Sequence, residues 1–207
     1  ELAWRLAVRD INAQYRQTIL GFLWAFILPV ANTLVWLFLN SSGIVVVGET
    51  LLPYPIYVLV GTMLWSILMD ALNAPLMQTT LAKSMLAKLN FPYEALILSG
   101  IYQTLFNGGI KIGLVLLVLI LLGVSPGWGL VLVPMGVLSL LLAGTVIGLA
   151  LTPLGMLYTD VGKAIPLVMQ FLMYITPVVF PFPQGGWALT IFKLNPMTPL
   201  IMTTRDW

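Results

Sequence analysis

Tyr15-Arg-Gln-Thr-Ile-Leu-Gly-Phe-Leu-Trp24 is the stretch at which this 207-residue chain changes solvent. Ahead of it charges recur, at Glu1, Arg5, Arg9, Asp10 and Arg16; behind it none appears until Glu49. A charge-bearing helix that runs straight into a long apolar run reads as a segment lying on a membrane and then turning into it. Composition extends that reading to the whole chain. Hydrophobic residues make up 60% and charged residues 8%, where a soluble domain carries about 25% charged residues. A surface so poor in charge does not stay dispersed in water, so the class is integral membrane protein. The net charge is +2 and the cations are spread out, which gives no footprint for nucleic acid. The absence of Cys and His removes disulfides, thiolate metal sites, the commonest general base and the commonest metal ligand. No signal peptide is visible, because residues 1–16 carry alternating charge rather than a basic patch and a short apolar core.

Working outward, residues 1–18 read as an amphipathic helix in the headgroup plane. Leu2, Leu6 and Ile11 alternate with Arg5, Arg9 and Arg16, and Trp4 and Tyr15 serve as interfacial aromatics. Spanning a bilayer takes about 20 apolar residues. Five stretches are expected to do so: 20–39, 54–76, 95–123, 130–157 and the short 165–180. Between the second and third lies the polar segment Gln78–Tyr93; a charged turn at Tyr158–Lys163 precedes the fifth. Residues 181–207 are broken by Gly185-Gly186 and by Asn195-Pro-Met-Thr-Pro199 into pieces of about ten residues, too short to cross. They read as re-entrant or interfacial short helices on the outer face. The expected fold is therefore an all-α integral membrane protein, one unit over residues 1–207, with a sixth span absent from this chain. Arg5, Arg9, Arg16, Lys83, Lys88 and Lys163 fall on one side, against Lys193 and Arg205 on the other. The positive-inside rule then places the amino-terminal helix in the cytoplasm.

Few groups within the spans carry chemistry. Asp70 and Lys111 are the ionisable residues inside them, and their depths differ by roughly 6 Å at 1.5 Å per residue. A lysine stem reaches across that gap, so an ion pair within one subunit is available. It would line a translocation path or, with equal weight, fix spans two and three or leave the lysine to snorkel. Asn32 with Trp36, and Gln170 with Tyr174, are polar–aromatic pairs one turn apart in mid-span. They suit a glycan-lined channel, since rings stack on sugars and amides bond hydroxyls, but core or lipid-facing packing accounts for any one of them. Gly109-Ile-Lys-Ile-Gly113 and Gly144-Thr-Val-Ile-Gly148 have the spacing that lets helix backbones approach, within or between subunits. Val161-Gly-Lys-Ala164 is not a phosphate loop, because Ala164 stands where a Mg²⁺-binding hydroxyl is needed. Energy for any uphill work must come from another polypeptide. The polar segment is the docking candidate for it, through Thr80, Leu81, Lys83, Ser84, Met85, Lys88 and Asn90, with Leu81, Met85 and Lys88 on one helical face.

Several strings together resemble one family. They are Arg9-Asp10, Tyr15-Arg-Gln-Thr-Ile-Leu-Gly21, Leu23-Trp24, Asn90-Phe-Pro92, Thr176-Pro-Val-Val-Phe-Pro181 and Leu194-Asn-Pro-Met-Thr-Pro-Leu200. In this order, over nearly the whole chain, they resemble the permease subunits of ATP-binding-cassette exporters of O-antigen, capsule or teichoic-acid polysaccharide. The resemblance implies a homodimer of six-span subunits in the bacterial cytoplasmic (inner) membrane, joined to two ATPase subunits that bind ATP and Mg²⁺, with no cofactor on this chain. It implies a substrate attached to a lipid diphosphate, met by Arg5, Arg9 and Arg16 on the amino-terminal gate helix. Residues 78–93 would couple to the ATPase, and Asn32, Trp36, Asp70, Lys111, Gln170 and Tyr174 would line the channel. Alternatives are an exporter of drugs or other small amphiphiles, an intramembrane glycan- or lipid-processing enzyme, and a non-transporting structural subunit. The enzyme would need acidic or His clusters at a membrane face, which the chain lacks.

Overall fold

The structure is a computed structural model that describes residues 1–16, 21–45, 47, 48, 50, 52–83, 92–124, 127–183 and 185–207, without the side chains of 15, 16, 22, 25 and 28. The described residues form helices and no strand. In chain order these are α1 (Leu2–Arg16), a 3₁₀ turn (Gly21–Leu23), α2 (Trp24–Ser41), α3 (Tyr54–Leu81) and α4 (Tyr93–Leu121). A second 3₁₀ turn (Trp128–Val131), α5 (Val133–Leu157), α6 (Thr159–Tyr174), α7 (Gly186–Leu194) and α8 (Met197–Asp206) follow. Among the described residues three helices are long and apolar enough to cross a membrane, α3, α4 and α5, at 28, 29 and 25 residues.

The axis of the molecule is α3. Val58, Met63, Ile67, Leu68 and Leu72 are almost wholly buried, and α5, α4, α2 and α8 pack around them. Lipid tails are as apolar as leucine, so helices in a bilayer associate through close packing rather than through exclusion of water. Glycine supplies the closeness here. A Cβ on Gly144 would press on the Ala71 methyl and the Leu68 carbonyl, and one on Gly148 on the Leu72 carbonyl. The small-residue face of α5 is thus spent on α3 within the same chain. Gly109 and Gly113 of α4 have open space where a Cβ would go.

Element boundaries differ from the expected ones in several places, and the larger differences have local reasons. The span expected over 20–39 is α2, from Trp24 to Ser41. Gly21 ahead of it has φ +49°, a left-handed turn that glycine takes without strain. The helix expected to stop at residue 76 runs on to Leu81. Gln78 and Thr79 are buried rather than looped out, and the Thr79 hydroxyl donates to the Pro75 carbonyl at 2.8 Å and the Leu76 carbonyl at 3.1 Å. A short polar side chain that bonds back to its own helix needs no water. The third difference is the charged turn expected at Tyr158–Lys163. Only Tyr158 is extended (φ −122°, ψ 114°); α6 starts at Thr159 with Asp160 in its first turn, where a negative charge favours the helix dipole. At its other end α6 stops at Tyr174 rather than continuing to 180. Pro177 disfavours helix in the residue before it. The helix has 16 residues, about 24 Å at 1.5 Å per residue, against a hydrocarbon core of about 30 Å. Beyond it lie a buried non-helical segment, Thr176–Val179, and then α7 and α8, of 9 and 10 residues.

Candidate functional site

At the α1 end of the bundle, α1 lies against α4. Its inward face is Ala3, Leu6 and Ala7, and Leu6 clusters with Ala82 and Leu96. This corrects the face read from sequence. Leu2 is exposed and Ile11 only half-buried, because positions 3, 6 and 7 share one side of a 3.6-residue period and 2 and 11 flank it. Trp4 meets the Tyr102 ring edge-on at 5.7 Å, and Asp10 accepts a 3.0 Å hydrogen bond from the Gln103 amide. Arg5 pairs with Glu1 at 2.6 Å and Arg9 with Asp10 at 2.7 Å. Both arginines are solvent-exposed. The Arg5–Glu1 pair is open on both sides, and exposed pairs of this kind are worth about 1 kcal/mol or less, so Arg5 can exchange its carboxylate for another anion at small cost; Asp10 is 20% exposed and keeps Gln103 as a second partner. Arg16 ends α1; its side chain lies outside the described residues.

The docking candidate divides. Thr80 and Leu81 are exposed in the last turn of α3. Lys83 follows, with Nζ 3.5 Å from the Met156 carbonyl near the end of α5, so its cation faces the negative end of that helix. Ser84, Met85, Lys88 and Asn90 lie outside the described residues. Since α3 has 28 residues and α4 has 29, each is over 40 Å long, roughly 10 Å more than the hydrocarbon core. α1 packs near residues 96–103 of α4, at the end of the bundle where α3 stops and α4 begins.

The six residues considered for channel lining fall into two sets. Lys111 Nζ lies 2.6 Å from Asp70 Oδ2, joining α4 to α3; the lysine side chain is 7% exposed and the aspartate 39%. On α2, Trp36 meets Tyr174 of α6 edge-on at 6.3 Å and Phe180 at 5.0 Å. The Gln170 amide donates to the Tyr174 hydroxyl at 3.1 Å. Asn32, one turn before Trp36, is exposed. The arrangement offers flat aromatic faces beside amide and hydroxyl groups on α2 and α6, and a separate half-open carboxylate on α3.

A third cluster organises the other end. The Arg205 guanidinium of α8 stacks over the Tyr57 ring of α3 at 3.8 Å and donates to the Pro177 carbonyl at 2.6 Å. The Tyr57 hydroxyl donates to the Phe180 carbonyl at 3.0 Å. Burial lowers the Arg205 pKa from its ordinary value, and Tyr57 and Asp206 push it back up. Asn195 ties the same segment: its amide donates to Thr176 Oγ1 at 2.8 Å and the Ile175 carbonyl at 3.3 Å, while its oxygen accepts from the Met197 N–H at 3.0 Å. A cavity of about 370 Å³ lies beside this cluster, bounded by Met63, Ile67, Val115, Leu119, Arg205 and Trp207 among others.

With this geometry in view, the comparisons decide the family. The family model described as ABC-2 type transporter matches residues 1–206. The chain belongs to the ABC-2 type transporter family. A curated relative, the O-antigen export system permease protein RfbA of Myxococcus xanthus, is 27% identical over 199 residues, covering 95% of this chain and 75% of that protein. A second protein of the same name, from Klebsiella pneumoniae, is 20% identical over 206 residues, covering 96% and 76%. This ABC-2 chain is thus a multi-pass membrane protein similar along its length to transporter permeases, and its family implies an ABC ATPase as partner.

Sequence reasoning missed the Arg205–Tyr57–Asn195 cluster of this ABC-2 chain. Arg205 had served only as a marker of sidedness. Its signal was present but faint: one cation in a ten-residue helix that otherwise offers its neighbours Thr203 and Thr204, and an Asn-Pro start to that helix. Nothing local links position 205 to position 57.

Proposed function

We propose that this ABC-2 chain is the membrane-spanning subunit of an exporter that moves lipid-linked polysaccharide across the bacterial cytoplasmic membrane, as a homodimer joined to two ATPase subunits. The observation that carries the reading is the match of nearly the whole chain to O-antigen export permeases. The aromatic faces of Trp36 and Tyr174, with the Gln170 amide between turns, support it, because sugar rings stack on aromatics and their hydroxyls need hydrogen-bond partners. In the mechanism, α1 lies on the cytoplasmic face. Arg5, Arg9 and Arg16 meet the diphosphate of the carrier, the first two giving up Glu1 and Asp10 for a doubly charged ligand. Motion generated where ATP and Mg²⁺ bind, on the partner, enters through the segment from Thr80 to Asn90 and reaches the bundle along α3 and α4. Glycan then passes along the α2–α6 side, with Asn32 and the half-open Asp70 carboxylate as further polar contacts.

Deletion of the gene tests this. Surface polysaccharide should vanish while polymer on its lipid carrier accumulates inside the cell, and the intact gene should reverse both. Surface polymer unchanged by deletion, together with a new sensitivity to amphiphilic drugs, would replace the reading with the drug-export one.

A further inference from the structure

Four anchors converge on five successive residues, Thr176 to Phe180. Asn195 holds Thr176 by its hydroxyl. Arg205 takes the Pro177 carbonyl and Tyr57 the Phe180 carbonyl. Gly61 gives up its side chain so that the Val178 carbonyl can lie against α3, where a Cβ would collide with it. Thr176, Val178 and Val179 are fully buried, and Arg205 is 8% exposed. Arg205 takes part in none of the three ion pairs found among the described residues. At contact distance its charge meets a carbonyl and an aromatic face, a fixed and directional environment, with the Asp206 carboxylate acting through space. What the held segment presents outward is the Phe180 ring, edge-on to Trp36 at 5.0 Å and 82°. Trp36 in turn meets Tyr174. A continuous set of contacts therefore runs from α8 through Tyr57 and Phe180 to the aromatic pair on α2 and α6, without Arg205 touching that pair.

We propose that Arg205 is a positioning residue for export: by clasping Pro177 onto Tyr57 it fixes the Thr176–Phe180 segment and so sets the Phe180 ring against Trp36 beside the glycan path. The inference rests on the proposed function, and its test keeps the two apart. The whole gene product, assembled with its ATPase in a strain lacking the native copy, is compared as R205M, R205K, F180A and R205M/F180A. Surface polymer and membrane abundance are measured in cells, and backbone hydrogen exchange across residues 176–180 in the purified protein.

R205M should lower surface polymer about fivefold or more at unchanged abundance, and the double variant should fall no further than the worse single one. R205K should stay within about twofold of the parent, since an ammonium still donates to Pro177 and sits on Tyr57. Exchange across the segment should quicken about tenfold in R205M. Losses that multiply in the double variant, normal export by R205M, or unchanged exchange would each overturn the proposal. If R205M does not accumulate, Y57F takes its place under the same non-additivity with F180A. Should the parent gene restore no surface polymer, the export reading falls, while the exchange arm still decides whether Arg205 holds the segment.

Discussion

Asp70 and Lys111 form a pair whose two halves differ in solvation, and the difference predicts which half is harder to lose. The lysine side chain is 7% exposed and the aspartate 39%. An Asp70→Asn change leaves an ammonium almost wholly enclosed with its counter-charge gone. Stranding one partner of a buried pair costs about 3 kcal/mol at the lower end of the measured range. Lys111→Met strands a carboxylate that is more than a third open, so screening reduces its cost to about 1 kcal/mol. Removing both leaves no charge in the membrane, and D70N/K111M should lie within about 1 kcal/mol of the parent. The coupling read from the cycle is then about 3 kcal/mol. Reversible unfolding in bicelles, followed for the four proteins under one condition, measures it. A larger loss for K111M than for D70N would refute the solvation argument. Additive losses would refute the pairing itself.

Four further outcomes follow from the same geometry. Gly148→Ala should destabilise by about 1–3 kcal/mol through overpacking against the Leu72 carbonyl, whereas Gly113→Ala, with open space at its Cβ, should be neutral or slightly stabilising; thermal unfolding in detergent distinguishes them. Asn195→Ala strands the Met197 N–H and removes the donor to Thr176 Oγ1, whose own bond to the Leu172 carbonyl remains, and should cost about 1–2 kcal/mol by the same measurement. Replacing residues 80–90 by a flexible linker should abolish co-purification with the ATPase; retained binding would place the docking elsewhere. Neutralising Arg9 and Arg16 together should lower surface polymer several-fold with membrane abundance unchanged, and membrane abundance is measured alongside; export at the parent level would remove their carrier-phosphate role.

The long apolar runs made α3, α4 and α5 legible, because a bilayer imposes length and composition on anything that crosses it. Counting residues from the helix ends was also enough to bring Asp70 and Lys111 within reach of one another, since rise per residue is fixed. Boundaries were less legible wherever polar residues remain helical. Thr79 bonds to its own helix, Gln78 is buried beside it, and Thr159–Lys163 sits in a largely exposed first turn, so polarity there did not signal a break. For α1 the charges were read correctly and the buried face was not, because two alanines mark that face and alanine carries almost no hydropathy signal. The cluster of Tyr57, Asn195 and Arg205 was least legible. Tyr57 and Arg205 are joined by tertiary packing across the chain, and a single tyrosine and a single arginine have no periodicity to betray them. Of the docking segment, Ser84 to Asn90 lies outside the described residues.

The Asp70–Lys111 pair also bears on how the transporter responds to membrane voltage. Carrying one elementary charge across a potential of 100 mV takes about 2.3 kcal/mol. A lone lysine or aspartate on a moving helix would make every stroke do work for or against that field. The two charges here are 2.6 Å apart and sum to zero, so when α3 and α4 shift together the field does almost no net work on them. The pair can therefore lock the two helices together inside the membrane without adding a voltage dependence of its own to their movement.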